Sequence, residues 1–317
     1  MVTQALRHTR RAAGGVVLAV ACLLAGCGGV RTAGIATPAN SAAPLSPRNH
    51  YPIATRVLTF VDHSRFINRP GHKRQPRQLV TVVRYPVGAS GPFGLVVFGH
   101  GFAVTPAYYF RLLRTWAQAG YVVAAPVFPL GNAHAPGGPD EADIVNQPRD
   151  MSFVITRILR ASASDRGPLS GLIDPHRIAI SGQSDGAETA VAVAYSSLYR
   201  DHRVRAAISL SGAELPGGTY FQPGAPPLLA VQGTADKINR PRYSYALFAA
   251  ARRPKFLLAL IGAGHLPPYT HQQPQLSIVE HVTLDFLSRY LGGDPHGVGQ
   301  MHVDGDVPGK ARLQARP

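Results

Sequence analysis

Cysteine is almost missing from this chain. Its 317 residues hold two, Cys22 and Cys27, both near the first residue. Beyond position 27 no thiol remains for a disulfide, a paired-cysteine metal site or a cysteine nucleophile, so the folded part is held by packing alone. Acidic side chains are also scarce, 17 against 32 Lys plus Arg, for a formal charge of +15. That excess is spread out. The densest patch, residues 69–77, never reaches five consecutive basic residues. This pattern argues against a nucleic-acid-binding tail and for a solvated basic surface attracted to anionic polymers or lipid head groups. No H-E-x-x-H pair or complete glycine-rich phosphate fingerprint occurs, so neither a metal nor a cofactor is expected. No internal repeat is visible.

The one long uncharged run lies at the N-terminus. Arg7, Arg10 and Arg11 precede an apolar stretch over 12–25, the layout of a secretory signal. The stretch closes on Leu24-Ala25-Gly26-Cys27, which resembles the lipobox of bacterial lipoproteins. The resemblance implies cleavage after residue 26, acylation of Cys27, and a domain anchored in the cell membrane facing the extracytoplasmic side. The uncharged stretch runs on to Val30 and is also long enough for an uncleaved membrane anchor. The expected organisation is a signal peptide over 1–26, a Gly/Ala/Ser/Pro-rich tether over 27–50, a folded domain over 51–292, and a poorly ordered tail over 293–317.

Within the domain, apolar runs bounded by turn residues predict strands over 56–61, 79–85, 94–99, 121–126, 177–182, 204–211, 228–233 and 256–261. Helical patterns predict helices over 107–118, 147–163, 185–195, 242–252 and 278–291. The first two strands read as a hairpin. Thereafter strands and helices alternate, which predicts an α/β fold: a mostly parallel eight-stranded sheet with helices on both faces. The segment 211–227 is too short for an inserted cap domain. Sites in such sheets lie beyond the carboxyl ends of the strands.

Gly182-Gln183-Ser184-Asp185-Gly186 falls between a predicted strand and a predicted helix. A G-x-S-x-G sequence in that setting is a nucleophile elbow, which presents the Ser184 hydroxyl above the sheet. Acyl transfer from a carbonyl also needs a base, an orienting carboxylate and oxyanion donors. In elbow-type enzymes the carboxylate and then the histidine follow the serine in the chain. Asp236 follows the strand 228–233, and His265 follows the strand at 256–261. They are the expected acid and base. Glu214 is the competing acid; Asp185 sits on the elbow itself, where its side chain does not readily reach the outer edge of an imidazole. The oxyanion donors are expected to be the N–H groups of Asp185 and of Phe102, the latter in the turn Gly99-His100-Gly101-Phe102. His100 is read as structural, with a catalytic base as the rival role. The loop over 130–147, with His134, Asp140, Glu141 and Asp143, is read as solvated, bordering the site, rather than as a cation site.

These four motifs together resemble the α/β-hydrolase superfamily. They look like its compact branch of chlorophyllase-like, platelet-activating-factor-acetylhydrolase-like, dienelactone-hydrolase-like and cutinase-like enzymes. The resemblance implies a cofactor-free serine esterase or lipase working through an acyl-enzyme on a small-molecule or lipid ester. The chain departs from the cutinase-like polyester hydrolases, with Asp185 after the nucleophile where they usually carry Met. It also has Ser211-Gly212-Ala213 in place of a cleft Trp, and no disulfide. Alternatives with the same motifs are an envelope acyltransferase and a non-catalytic binding lipoprotein. The chain is expected to act as a monomer. An open site is expected, covered by the loops 103–106, 130–147, 213–222 and 266–273, with Tyr108, Tyr220, Phe221 and Tyr269 as candidate pocket walls.

Overall fold

The computed structural model describes residues 50–317, apart from 68, 70–72 and 90. The expected signal segment, both cysteines and nearly all of the expected tether lie outside the described residues. Among the described residues no helix is long and apolar enough to cross a membrane.

All eight predicted strands form, and a ninth joins them. The strands are β1 (Ile53–Ile67), β2 (Gln75–Pro86), β3 (Phe93–Gly99), β4 (Tyr121–Pro126), β5 (Ile173–Gln183), β6 (Val204–Leu210), β7 (Leu228–Gly233), β8 (Lys255–Leu260) and β9 (Ala311–Arg316). One sheet runs in the order β1-β2-β4-β3-β5-β6-β7-β8-β9. β3 to β8 are parallel, β1 and β2 form the antiparallel hairpin, and β9 returns antiparallel along β8. The expected count of eight was short because the segment 293–317 is not loose. It carries α6 (Gly297–Gly305) and β9.

The predicted helices become α1 (Phe110–Gln118), α2 (Gln147–Ala163), α3 (Asp185–Tyr195), α4 (Pro241–Ala250) and α5 (Gln275–Tyr290). Short 3-10 turns, Pro106–Tyr109 and Glu141–Asn146, lead into α1 and α2. No helix or strand stands between β6 and β7, as expected for a capless domain.

The alternation of side chains along each strand splits the core in two. Val96 and Phe98 pack with α1, α5 and α6 through Leu112, Trp116, Val279, Phe286 and Met301. Leu95 and Val97 pack on the other face with α2 and α3 through Met151, Val154, Ile158 and Val191. Both faces of the central strands are thereby removed from water, which is why those strands read as unbroken apolar runs.

A buried ion cluster ties the hairpin to α2. From β2, the Arg77 guanidinium donates to Asp143 through Nη1 and Nη2, both at 2.8 Å, and to Asp150 through Nε at 2.9 Å and Nη2 at 2.5 Å. Arg65 on β1 adds a contact to Asp150 at 2.7 Å. Burial opposes the charge on Arg77, and the two carboxylates outweigh it, so the guanidinium is held more firmly charged than usual. Asp143, expected on a solvated loop, is instead buried in this cluster.

Candidate active site

β5 ends at Gln183, and Ser184 makes the turn into α3 with φ 56° and ψ −125°. A left-handed φ at a non-glycine residue is strained and persists only when its surroundings enforce it. The two flanking glycines make the turn possible. A Cβ on Gly182 would lie 2.0 Å from Gly186 O, and one on Gly186 would lie 2.1 Å from Gly99 O. Only glycines let the elbow fold back on itself and press against the end of β3.

The turns after β7 and β8 deliver the other two groups. Asp236 is 4% exposed, and its Oδ1 accepts from the N–H groups of Ile238 at 2.9 Å and Asn239 at 3.0 Å. Its Oδ2 faces His265 Nδ1 at 2.8 Å, and His265 Nε2 faces Ser184 Oγ at 2.9 Å. Burial pushes the Asp236 carboxyl up. The hydrogen bond and charge of His265 and the N–H of Ile238 outweigh it, so the group is held below its ordinary value. A carboxylate on Nδ1 fixes the proton there and leaves Nε2 as the acceptor toward the serine. The two turns touch through bare backbone: a Cβ on Gly233 would lie 2.5 Å from the carbonyls of Ala263 and Gly264.

The rival residues stand elsewhere. Glu214 is exposed and does not line the site. His100 is 1% exposed and both ring nitrogens are engaged: Nδ1 meets Gly101 O at 2.8 Å, and Nε2 accepts the Phe128 N–H at 3.0 Å. That pair of partners fixes a neutral ring protonated on Nδ1, and burial pushes its pKa down to about 4. It holds the β3 turn against the turn after β4.

The same turn supplies a donor. Gly101 N–H is taken by Tyr109 Oη at 3.3 Å and Ala103 N–H by Gly131 O at 2.8 Å. Phe102 N–H, between them, has no protein partner among the described residues. Asp185 opens α3, where the first N–H groups lack intrahelical acceptors. Phe102, Asp185, Ser184 and His265 all border one cavity of about 580 Å³. This is an ordinary volume for a small-ligand pocket.

Every loop expected to cover the site contributes to that cavity: Val104, Glu141 and Ile144, Leu215 and Pro216, Leu266 and Pro267. The four aromatic candidates do not. Tyr108 is exposed, Phe221 packs on Tyr195 at 4.6 Å between centroids, Tyr220 donates to Leu215 O, and Tyr269 is buried with its hydroxyl on Ser211 Oγ. Aliphatic residues, Ile238 among them, take their place.

Two further residues escaped the sequence reading. Gln183, inside the elbow motif, donates through Nε2 to His265 O at 3.1 Å. Its Oε1 accepts from Tyr109 Oη at 2.7 Å. This run links α1's lead-in turn to the histidine. The position of Gln183 just before the serine was the only available signal; Tyr109 offered none.

A serine on a strand-to-helix turn of a parallel sheet, facing a histidine and an aspartate from later strands, defines the α/β-hydrolase class. The chlorophyllase family model matches residues 60–233, more than half of the chain. The chain therefore belongs to the chlorophyllase family of the α/β-hydrolase superfamily, a membership that points to a serine hydrolase. The matched stretch holds Phe102, Ser184 and Asp185 and ends before Asp236 and His265. No curated protein matches the chain.

Proposed function

We propose that this protein is a serine esterase that hydrolyses a carboxylic ester through an acyl-enzyme. The reading is carried by the unbroken run from Ser184 Oγ to His265 at 2.9 Å and on to Asp236 at 2.8 Å, opening on a cavity with both apolar and polar walls. Ser184 Oγ attacks the carbonyl carbon while His265 Nε2 takes the hydroxyl proton. The carbonyl oxygen, now an anion, is held by the N–H groups of Phe102 and Asp185. His265 returns the proton to the leaving alcohol, Asp236 stabilising the imidazolium. Water then repeats the sequence on the acyl-serine and regenerates the hydroxyl.

The test is a fluorophosphonate probe on the purified protein beside Ser184→Ala. Labelling of the wild type alone is expected. A folded wild type that takes no label refutes the reading. We propose further that acylation of Cys27 tethers the domain to the outer face of the cytoplasmic membrane. Metabolic labelling with a fatty acid should mark the wild type and be lost in Cys27→Ser.

A further inference from the structure

Asp185 stands next to the nucleophile, yet neither the proton path nor the oxyanion donors use its carboxylate. The residue is 7% exposed, borders the cavity, and its Oδ2 is buried without a hydrogen-bond partner. Glu188, less than one turn further along α3, borders the same cavity. So does Glu141, exposed at the rim on the turn ahead of α2. Of the three, Glu188 has a neutral partner, Asn239 Nδ2 at 3.2 Å.

Burial pushes the Asp185 carboxyl up to about 6, with the charge of Glu141 adding and its own N–H and His265 opposing. Burial, then the charge of Asp185, push Glu188 up to about 7, with Asn239 opposing and Glu141 adding. Asp185 is buried and Glu188 half-buried, and in so poorly solvated a place each disfavours the other's negative charge. The chain has basic residues to spare, 32 against 17 acidic ones. Yet among the described residues none that borders this cavity is Lys or Arg. The negative wall beside Ser184 is thus left without a Lys or Arg against it.

A bare metal ion does not fit that wall. It needs oxygen ligands at about 2.0–2.6 Å, and among the described residues no three His, Cys, Asp or Glu groups could hold one. Apart from the reaction groups and the amides of Gln183 and Asn239, the side chains around it are mostly apolar, Ile144, Leu215, Pro216 and Ile238 among them. A diffuse cation wrapped in alkyl groups satisfies both surfaces at once.

We propose that the ester taken by this site carries a substituted ammonium group, held by Asp185, Glu188 and Glu141 beside Ser184. That the ligand is an ester rests on the proposed function; that it is cationic does not.

Calorimetric titration of the full chain with choline and with its uncharged isostere, 3,3-dimethylbutan-1-ol, tests the charge without requiring turnover. At low salt and about pH 8, choline should bind at least about tenfold tighter, a difference of about 1.4 kcal/mol. That preference should fall about tenfold in Glu188→Gln and in Asp185→Asn. It should also shrink toward about pH 5, where the raised carboxyl groups take up protons. Equal binding of the two compounds, or no choline binding by a folded protein, overturns the proposal. Fluorophosphonate labelling is read separately. Labelling without a choline preference removes the cation site and keeps the hydrolase, whereas a choline preference without labelling does the reverse.

Discussion

Ser184→Ala should lower kcat for a p-nitrophenyl ester about a million-fold, and Asp236→Asn about ten-thousand-fold. The double variant should be no worse than the serine variant alone. In the proposed mechanism the three groups act as one unit: without Oγ there is no proton for His265 to take, and an oriented imidazole has nothing to do. The Asn side chain fills the same space as Asp236 but presents the imidazole with a neutral group. It no longer fixes the proton on Nδ1, so Nε2 ceases to be a dependable acceptor toward Oγ, 2.9 Å away. Glu214→Gln should change kcat by less than about twofold, because that exposed carboxylate does not border the cavity. Steady-state kinetics of the wild type and the four variants, each checked by circular dichroism, decides the matter. A large loss in Glu214→Gln with little in Asp236→Asn would reassign the acid.

Arg77→Met should destabilise the domain by about 3–5 kcal/mol. The substitution keeps most of the buried volume and removes the charge that both carboxylates share, leaving Asp143 without a cation. Asp143 would retain only the Asn146 amide at 2.8 Å, and Asp150 only Arg65 at 2.7 Å. In a domain of this size the loss corresponds to a fall in Tm of roughly 10 °C. Arg77→Lys should fall between, since an ammonium keeps the charge but cannot serve two carboxylates through a planar fork. Urea unfolding monitored by tryptophan fluorescence, with Trp116 buried in the core as the reporter, gives the comparison. A change under about 1 kcal/mol in Arg77→Met would mean the cluster contributes specificity rather than stability.

The sheet was legible because its middle strands are buried on both faces and are therefore apolar at every position. The site was legible where chemistry constrains the backbone: the glycines of the elbow and the turns ahead of Asp236 and His265. The tail was not legible for a physical reason. α6 contains Gly297, Gly299 and Gly305, which disfavour an isolated helix. β9 buries only Ala311 and Leu313 between exposed Arg312 and Gln314. Its existence depends on the neighbouring strand, which no local pattern reports. The pocket aromatics failed similarly, since adjacency in the chain does not say which way a ring turns, and Tyr269 turns into the core. Asp185 was visible but uninterpretable, because its meaning lies in Glu141 and Glu188, brought together only by folding.

β9 has one more consequence. It covers the outer flank of β8, the strand whose end carries His265. Stripped of those six residues, β8 would offer a free row of amides and carbonyls to any neighbouring molecule. Colloidal behaviour and the seat of His265 are thus entrusted to the same short segment.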